Sequence, residues 1–79
     1  MNLEQRHEGS SFRHYLDDKP VHCGDQLRLL VSVTGKVWVW ARYEATVRKE
    51  GISAVLYTNF GRVLPDEGTT LRWPTEGER

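Results

Sequence analysis

The longest regular pattern in the chain is the segment VWVWARYEATVR, from Val37 to Arg48. Every second residue from Val37 onward is apolar, which is the period of a β-strand with one buried face. The register predicts that this row lies in the core, with a bulge near Ala41 as the alternative that would turn Trp38 inward. The other row combines two indoles with alternating charges, so it suits neither a core nor an ordinary solvated face. Its members are Trp38, Trp40, Arg42, Glu44, Thr46 and Arg48.

Shorter strand patterns flank this segment and are separated by turn residues. Residues 26–33 alternate and predict Leu27, Leu29, Val31 and Val33 facing inward. Turn chemistry at 17–20, 34–36, 49–51 and 59–61 divides the rest into short segments, and no window of a dozen residues has a helical period. The pattern predicts an all-β fold of five or six short antiparallel strands closing into a small barrel, of the Src-homology-3-like or OB type. We expect one domain over 12–74, between flexible tails at 1–11 and 75–79.

Charge and composition restrict the classes of function. Eleven basic residues balance eleven acidic ones, and eight of the eleven basic residues are arginine. Zero net charge disfavours a dedicated nucleic-acid binder and predicts nucleic-acid affinity no tighter than about 10⁻⁵ M at physiological salt. Arginine favours planar and bidentate recognition over simple charge attraction. The polar N-terminus and the lack of a long apolar run lead us to expect a cytoplasmic protein without a membrane span.

Candidate catalytic and metal-binding residues are few. Cys23 is the one cysteine of the chain, so it has no disulfide partner within the chain. Neighbouring residues on a strand point to opposite faces, so His22 and Cys23 would not converge on a zinc ion with His14, and a fourth ligand is missing. No third group orients His22 as a base for a Cys23 nucleophile. We therefore expect no enzyme activity, no metal and no cofactor.

The Trp-Arg row is the best candidate for a binding site. Hot spots of protein interfaces are enriched in Trp, Tyr and Arg, which predicts a partner-binding patch. The same row could stack bases and follow phosphates, as small barrels do with single strands. A purely structural reading has Trp38 closing the end of the barrel and Arg42 stacking on Trp40. The predicted partner-binding residues are Trp38, Trp40, Arg42, Glu44 and Arg48.

Several short motifs resemble an uncharacterised family of short β proteins from bacterial phages and mobile elements, described only as a domain of unknown function. They are the opening segment FRHYL, the corner HCGD at 22–25, a Trp followed by RYE at 42–44, and the closing LRWP at 71–74. The resemblance covers about 12–74 and implies a Src-homology-3-like fold and an accessory gene. Trp40 and the arginine-rich strand around it depart from the family pattern.

These expectations combine into a binding module rather than an enzyme. The resemblance implies, by analogy of gene context, a stoichiometric inhibitor of a host defence complex, of the anti-CRISPR kind. The alternative is a nucleic-acid-binding barrel, a regulator or a replication accessory. That alternative requires the arginines of the strands to collect on one face, and these are Arg28, Arg42, Arg48, Arg62 and Arg72. Exposed strand edges leave both a monomer and a homodimer open.

Overall fold

A computed structural model describes residues 3–32 and 34–79, and it is an all-β structure. Within those residues there are eight strands and one short 3₁₀ turn, Glu76–Glu78. The strands are β1 (Glu4–Glu8), β2 (Ser11–Leu16), β3 (Lys19–Pro20), β4 (Gln26–Ser32), β5 (Val37–Arg48), β6 (Gly51–Thr58), β7 (Gly61–Val63) and β8 (Leu71–Arg72). The predicted all-β, antiparallel class is confirmed, whereas the predicted number of five or six strands is too low.

The strands form two antiparallel sheets. The first has the order β1-β2-β3, and the second has the order β7-β6-β5-β4-β8, with the long β5 at its centre. Turn chemistry sets the first sheet: Asp17 and Asp18 both have positive φ, at 53° and 63°, as a two-residue type I′ turn between β2 and β3 requires. The hairpin turns predicted from the sequence between β4 and β5, β5 and β6, and β6 and β7 are all present.

The two sheets meet through β2, which contacts β5 and β6. Leu16 of β2 is fully buried, and its carbonyl oxygen accepts a hydrogen bond of 2.7 Å from the Trp73 Nε1–H. His14 of the same strand lies 2.7 Å from the Tyr43 hydroxyl, measured from Nδ1. The buried apolar residues between the sheets are Leu3, Leu16, Val21, Leu27, Leu29, Ala41, Tyr43, Leu56 and Leu71.

The buried row of β5 agrees with the prediction at its centre and not at its ends. Ala41 and Tyr43 are buried, and Val39 is partly buried against the core. Val37 and Val47 are 47% and 51% exposed, so their predicted core positions are wrong. Both lie near the ends of a 12-residue strand, whereas the buried core lies over its middle, around Ala41 and Tyr43. No bulge interrupts the pairing of β5 with β6.

The alternation of β4 also ends before the strand does. Leu27 and Leu29 are buried as predicted, while Val31 is 50% exposed. The register between β4 and β5 shifts between Leu30 and Ser32, which carries this end of the strand away from the core. The prediction for Val33 lies outside the described residues.

Both segments predicted as flexible tails contain ordered elements. Residues 4–8 form β1, and Leu3 is buried in the core at 6% exposure. All five residues of β1 are polar, so the strand shows no apolar period in the sequence, and the buried Leu3 precedes it. At the other end, the 3₁₀ turn folds back onto β8 through Glu78. Residues 4–8 and 76–78 of these segments therefore have regular structure.

Candidate functional site: an arginine–aromatic sheet face

The residues predicted to bind a partner occupy one face of β5, and they differ in exposure. Trp40 is 40% exposed, and Arg42 and Arg48 are exposed. Trp38 and Glu44 are partly buried. The structure therefore keeps all five on the side of β5 away from Ala41 and Tyr43, as the alternation predicted.

Cross-strand pairing extends this face over the whole five-stranded sheet. Arg28 of β4 lies directly opposite Trp40, and Arg72 of β8 lies opposite Arg28. On the other side, Tyr57 of β6 lies opposite Arg42, and Arg62 of β7 lies opposite Tyr57. Directly opposed residues share one face of a sheet. We call this surface the arginine–aromatic face; it comprises Arg28, Trp38, Trp40, Arg42, Arg48, Tyr57, Arg62 and Arg72.

Three guanidinium groups stack on three aromatic rings of the face. The Arg28 Cζ lies 4.3 Å from the centre of the Trp40 ring, and the Arg72 Cζ lies 4.7 Å from that of Trp38. Arg42 stacks on Tyr57 at 5.1 Å, and not on Trp40 as the purely structural alternative has it. The reason is the register, which sets Arg28 across from Trp40 and Tyr57 across from Arg42.

Glu78 holds two of these arginines from the C-terminal turn. Its carboxylate accepts two hydrogen bonds from Arg72, of 2.7 and 3.0 Å. Arg28 Nε lies 3.1 Å from Glu78 Oε2 in an ion pair without hydrogen-bond geometry. The hydrogen bonds from Arg72 and from the Thr75 backbone N–H lower the pKa of Glu78 to about 2. Glu78 is therefore ionised across the physiological range and fixes the positions of both guanidinium groups.

The remaining arginines are more accessible. Arg42 Nε lies 3.5 Å from Glu44 Oε2, with half of the Arg42 side chain exposed. Arg48 and Arg62 are exposed and form no ion pair with any residue in the described ranges. Of the five guanidinium groups on the face, three pair with two carboxylates, Glu44 and Glu78, which leaves a formal surplus of three positive charges among these seven side chains. The chain is neutral overall, but its charge is not evenly distributed.

A groove of about 680 Å³ opens at the edge of this face. It lies where the start of β4, the exposed Trp40 and the segment after β8 meet the C-terminal turn. The lining residues are Asp25, Gln26, Trp40, Trp73, Pro74, Glu78 and Arg79. Trp73 contributes to it while packing against the core, and Asp25 Oδ2 accepts a hydrogen bond of 2.8 Å from the His22 backbone N–H.

The other chemical candidates in the sequence are not brought together. His14 is buried beside Tyr43, where burial lowers its pKa, whereas His22 and Cys23 are exposed. Cys23 Sγ accepts a hydrogen bond of 3.3 Å from the Ala45 backbone N–H, which attaches the HCGD corner to β5. Among the described residues there is no cluster of three His, Cys, Asp or Glu side chains that could hold a metal ion.

Sequence reasoning found the β5 residues of the face and missed the groove. Arg28 and Arg72 alternate with buried leucines, so a strand pattern could have placed them. Glu78 and Arg79 carried no such signal, because they lie in a short polar segment after Pro74. Only the folded chain shows that this segment returns to the sheet.

Comparison with known proteins gives no further guide to this site. No protein-family model matches the chain, and no curated protein or solved structure matches it. Among the helical segments of the described residues, none has the length and apolar character needed to cross a membrane.

Proposed function

We propose that the arginine–aromatic face binds single-stranded nucleic acid. The observation that carries this proposal is that five strand arginines share one sheet face with Trp38, Trp40 and Tyr57. Proteins that bind single strands combine a positive surface along the backbone with aromatic rings on which bases stack. The same chemical parts alternate here, because cross-strand pairs place an aromatic ring beside each of three arginines.

The accessible residues divide between two roles. Arg42, Arg48 and Arg62 are exposed, so they can contact phosphate oxygens without first leaving a buried position. Trp40 and Tyr57 are 40% and 39% exposed, and each has ring surface left for a base. Arg28 and Arg72 are already paired with Glu78, and their role is to hold the two indoles in place.

The zero net charge of the chain does not argue strongly against nucleic-acid binding, because the charges are distributed unevenly over the surface. Exposed charges act over roughly 8 Å at physiological ionic strength, so a bound strand responds to the local surface more than to the total charge of the protein. The local surplus of three positive charges favours a polyanion at this face. We expect affinity near the micromolar range at about 50 mM salt, weakening as salt rises.

A protein partner is the second candidate, and a separate observation favours it. Arg28 and Arg72 are fixed by Glu78 and stacked on indoles, which gives rigid anchors of the kind found at interface hot spots. The resemblance seen in the sequence would make such a partner a host defence complex, with this chain as its inhibitor. This candidate needs the Trp-Arg patch and does not need a surplus of charge.

A salt titration with matched charge variants tests the first candidate. Fluorescence anisotropy would follow binding of labelled 15-nucleotide single-stranded DNA and RNA at several salt concentrations. Removing two arginine charges that contact phosphates should make the negative slope of log K against log salt less steep by about 1.4. We therefore expect that change for the double variant Arg48→Gln, Arg62→Gln. The control is Lys19→Gln, Lys36→Gln, which changes net charge equally but lies off the face, at β3 and in the β4–β5 turn.

The outcomes separate the two candidates. A less steep salt dependence in the arginine double variant, with no such change in the lysine control, supports nucleic-acid binding at this face. Equal slopes in both double variants, or wild-type binding no tighter than about 10⁻⁵ M at low salt, would overturn it. In that case the protein candidate predicts that Trp40→Ala, and not Arg48→Gln, removes capture of a host protein complex.

A further inference from the structure

The groove beside Trp40 has the size and lining of a ligand pocket. Its volume of about 680 Å³ lies within the range of about 300 to 1,000 Å³ that is common for small-molecule sites. Trp40, Trp73 and Pro74 supply apolar walls, and Asp25 and Gln26 supply hydrogen-bonding groups. Because Trp40 also belongs to the arginine–aromatic face, the groove is continuous with that surface.

We propose that this groove accepts one unstacked nucleobase that carries an exocyclic amino group. The inference rests on the proposed function and names the part of the strand that the groove takes. Unstacked bases of single strands are held by aromatic side chains and hydrogen-bonded along their edges. A planar, uncharged ring with a polar edge matches indole and proline walls beside a carboxylate and an amide.

Asp25 supplies the discrimination between bases. Its Oδ2 is occupied by the His22 backbone N–H, and its Oδ1 has no hydrogen-bond partner within residues 3–32 and 34–79. A carboxylate oxygen accepts from an amino group, such as N4 of cytosine, and cannot donate to a carbonyl oxygen. Thymine and uracil lack that amino group, so they leave the Asp25 oxygen without a partner.

Positive groups lie at the groove beside the Asp25 carboxylate. Arg79 lines the groove, and the Arg28 guanidinium already stacks on the Trp40 ring. Glu78 already pairs with Arg72 and Arg28, so Asp25 is the carboxylate of the lining that remains for the ligand. A neutral base can present its amino group to Asp25 while its attached phosphate faces Arg79 and the neighbouring arginines.

Two binding measurements test the pocket. The first compares 12-nucleotide thymine strands with strands that carry a single central cytosine, and we expect at least threefold tighter binding of the second. The variant Asp25→Asn keeps an acceptor for the His22 N–H and replaces the other oxygen with an NH₂ donor. It should abolish or reverse the preference for cytosine, while its thermal midpoint and the salt slope stay those of the wild type.

The second measurement follows the three indole N–H signals by NMR during titration with cytidine monophosphate, uridine monophosphate and ribose 5-phosphate. Trp-to-Phe variants assign the signals. We expect cytidine monophosphate to move the Trp40 and Trp73 signals at lower concentration than the other two compounds, and to leave Trp38 in place.

The pocket and the proposed function can fail separately. Salt-dependent strand binding without a cytosine preference, unchanged in Asp25→Asn, would overturn the pocket and leave the face as the binding site. Selective shifts of Trp40 and Trp73 with no binding of any strand would support the pocket and overturn strand binding. Absence of both strand binding and indole shifts would overturn both.

Discussion

Trp40 and Trp73 carry the same side chain in different surroundings. Trp40 is 40% exposed and covered on one side by Arg28. Trp73 packs against the core, and its indole N–H donates to the Leu16 carbonyl oxygen, which joins the two sheets. At the scale of the residue, exposure and hydrogen bonding decide which indole is available for binding and which one holds the fold.

Truncating each indole should therefore have a different effect on stability. We expect Trp40→Ala to lower the free energy of unfolding by about 1 kcal/mol, because the ring is partly wet already. Trp73→Ala should cost about 3 to 5 kcal/mol, since it leaves a cavity and removes the indole hydrogen bond to the Leu16 carbonyl oxygen. Urea unfolding followed by circular dichroism measures both values.

Binding measured on the same Trp40→Ala protein completes this prediction. The variant should remain folded and lose roughly 2 kcal/mol or more of binding free energy if Trp40 is a hot spot. A cost in stability equal to that of Trp73→Ala would assign Trp40 to the scaffold. Full binding by a folded Trp40→Ala protein would place the binding surface elsewhere.

At the scale of the element, the C-terminal 3₁₀ turn depends on one charged contact. The Glu78 carboxylate accepts a 2.9 Å hydrogen bond from the Thr75 backbone N–H. It also accepts a 2.7 Å hydrogen bond from the Arg72 side chain on β8. The turn therefore stays against the sheet while the Glu78 carboxylate is ionised. Protonation would remove its attraction for both Arg72 and Arg28.

Acid should release this contact in a defined range of pH. The pKa of Glu78 falls from its usual 4.5 to about 2 in the folded chain, so the unfolded chain binds the proton more readily. Its stabilisation is complete above about pH 4.5 and is lost as pH falls toward 2. We expect Glu78→Gln to lower the thermal midpoint at pH 7 and to flatten its dependence on pH between 5 and 2.

Glu76→Gln is the matched control for this prediction. Glu76 lies in the same turn, is exposed, and forms no ion pair with the described residues. Its variant should follow the wild-type profile of thermal midpoint against pH. Identical profiles for the two variants would show that Glu78 does not fix the turn.

In the whole molecule, the packing of the two sheets gives the larger sheet one covered apolar side and one polar side. The smaller sheet covers the apolar side of the larger one, with the His14 and Tyr43 side chains in contact between them. The other side of the larger sheet carries the arginine–aromatic face. Folding thus converts a balanced sequence into a molecule with one locally positive surface.

Metal removal should leave this architecture unchanged. His14 is buried with its Nδ1 beside the Tyr43 hydroxyl, while His22 and Cys23 lie exposed at a corner attached to β5. We expect the thermal midpoint to be the same with EDTA, with added zinc and with neither. A midpoint that falls on chelation would contradict this and would assign these residues to a metal site.

Local patterns in the chain are enough to predict the strand class, most of the turns and the two sides of β5. Alternation is a local property of the chain, so it correctly separates Ala41 and Tyr43 from Trp40 and Arg42. Turn residues likewise predict a reversal at 17–20, and the structure makes it a two-residue turn at Asp17 and Asp18, whose short polar side chains tolerate positive φ.

How far burial extends along each strand, and which distant residues come into contact, depends on long-range packing. Val37 and Val47 continue the apolar period of β5, yet about half of each residue is exposed, because the core packs over the middle of the strand. The contact of Glu78 with Arg28 joins residues fifty positions apart, and no local pattern encodes such a pair. Collection of the strand arginines on one face likewise depends on strand order and register, which are set by long-range packing between the sheets.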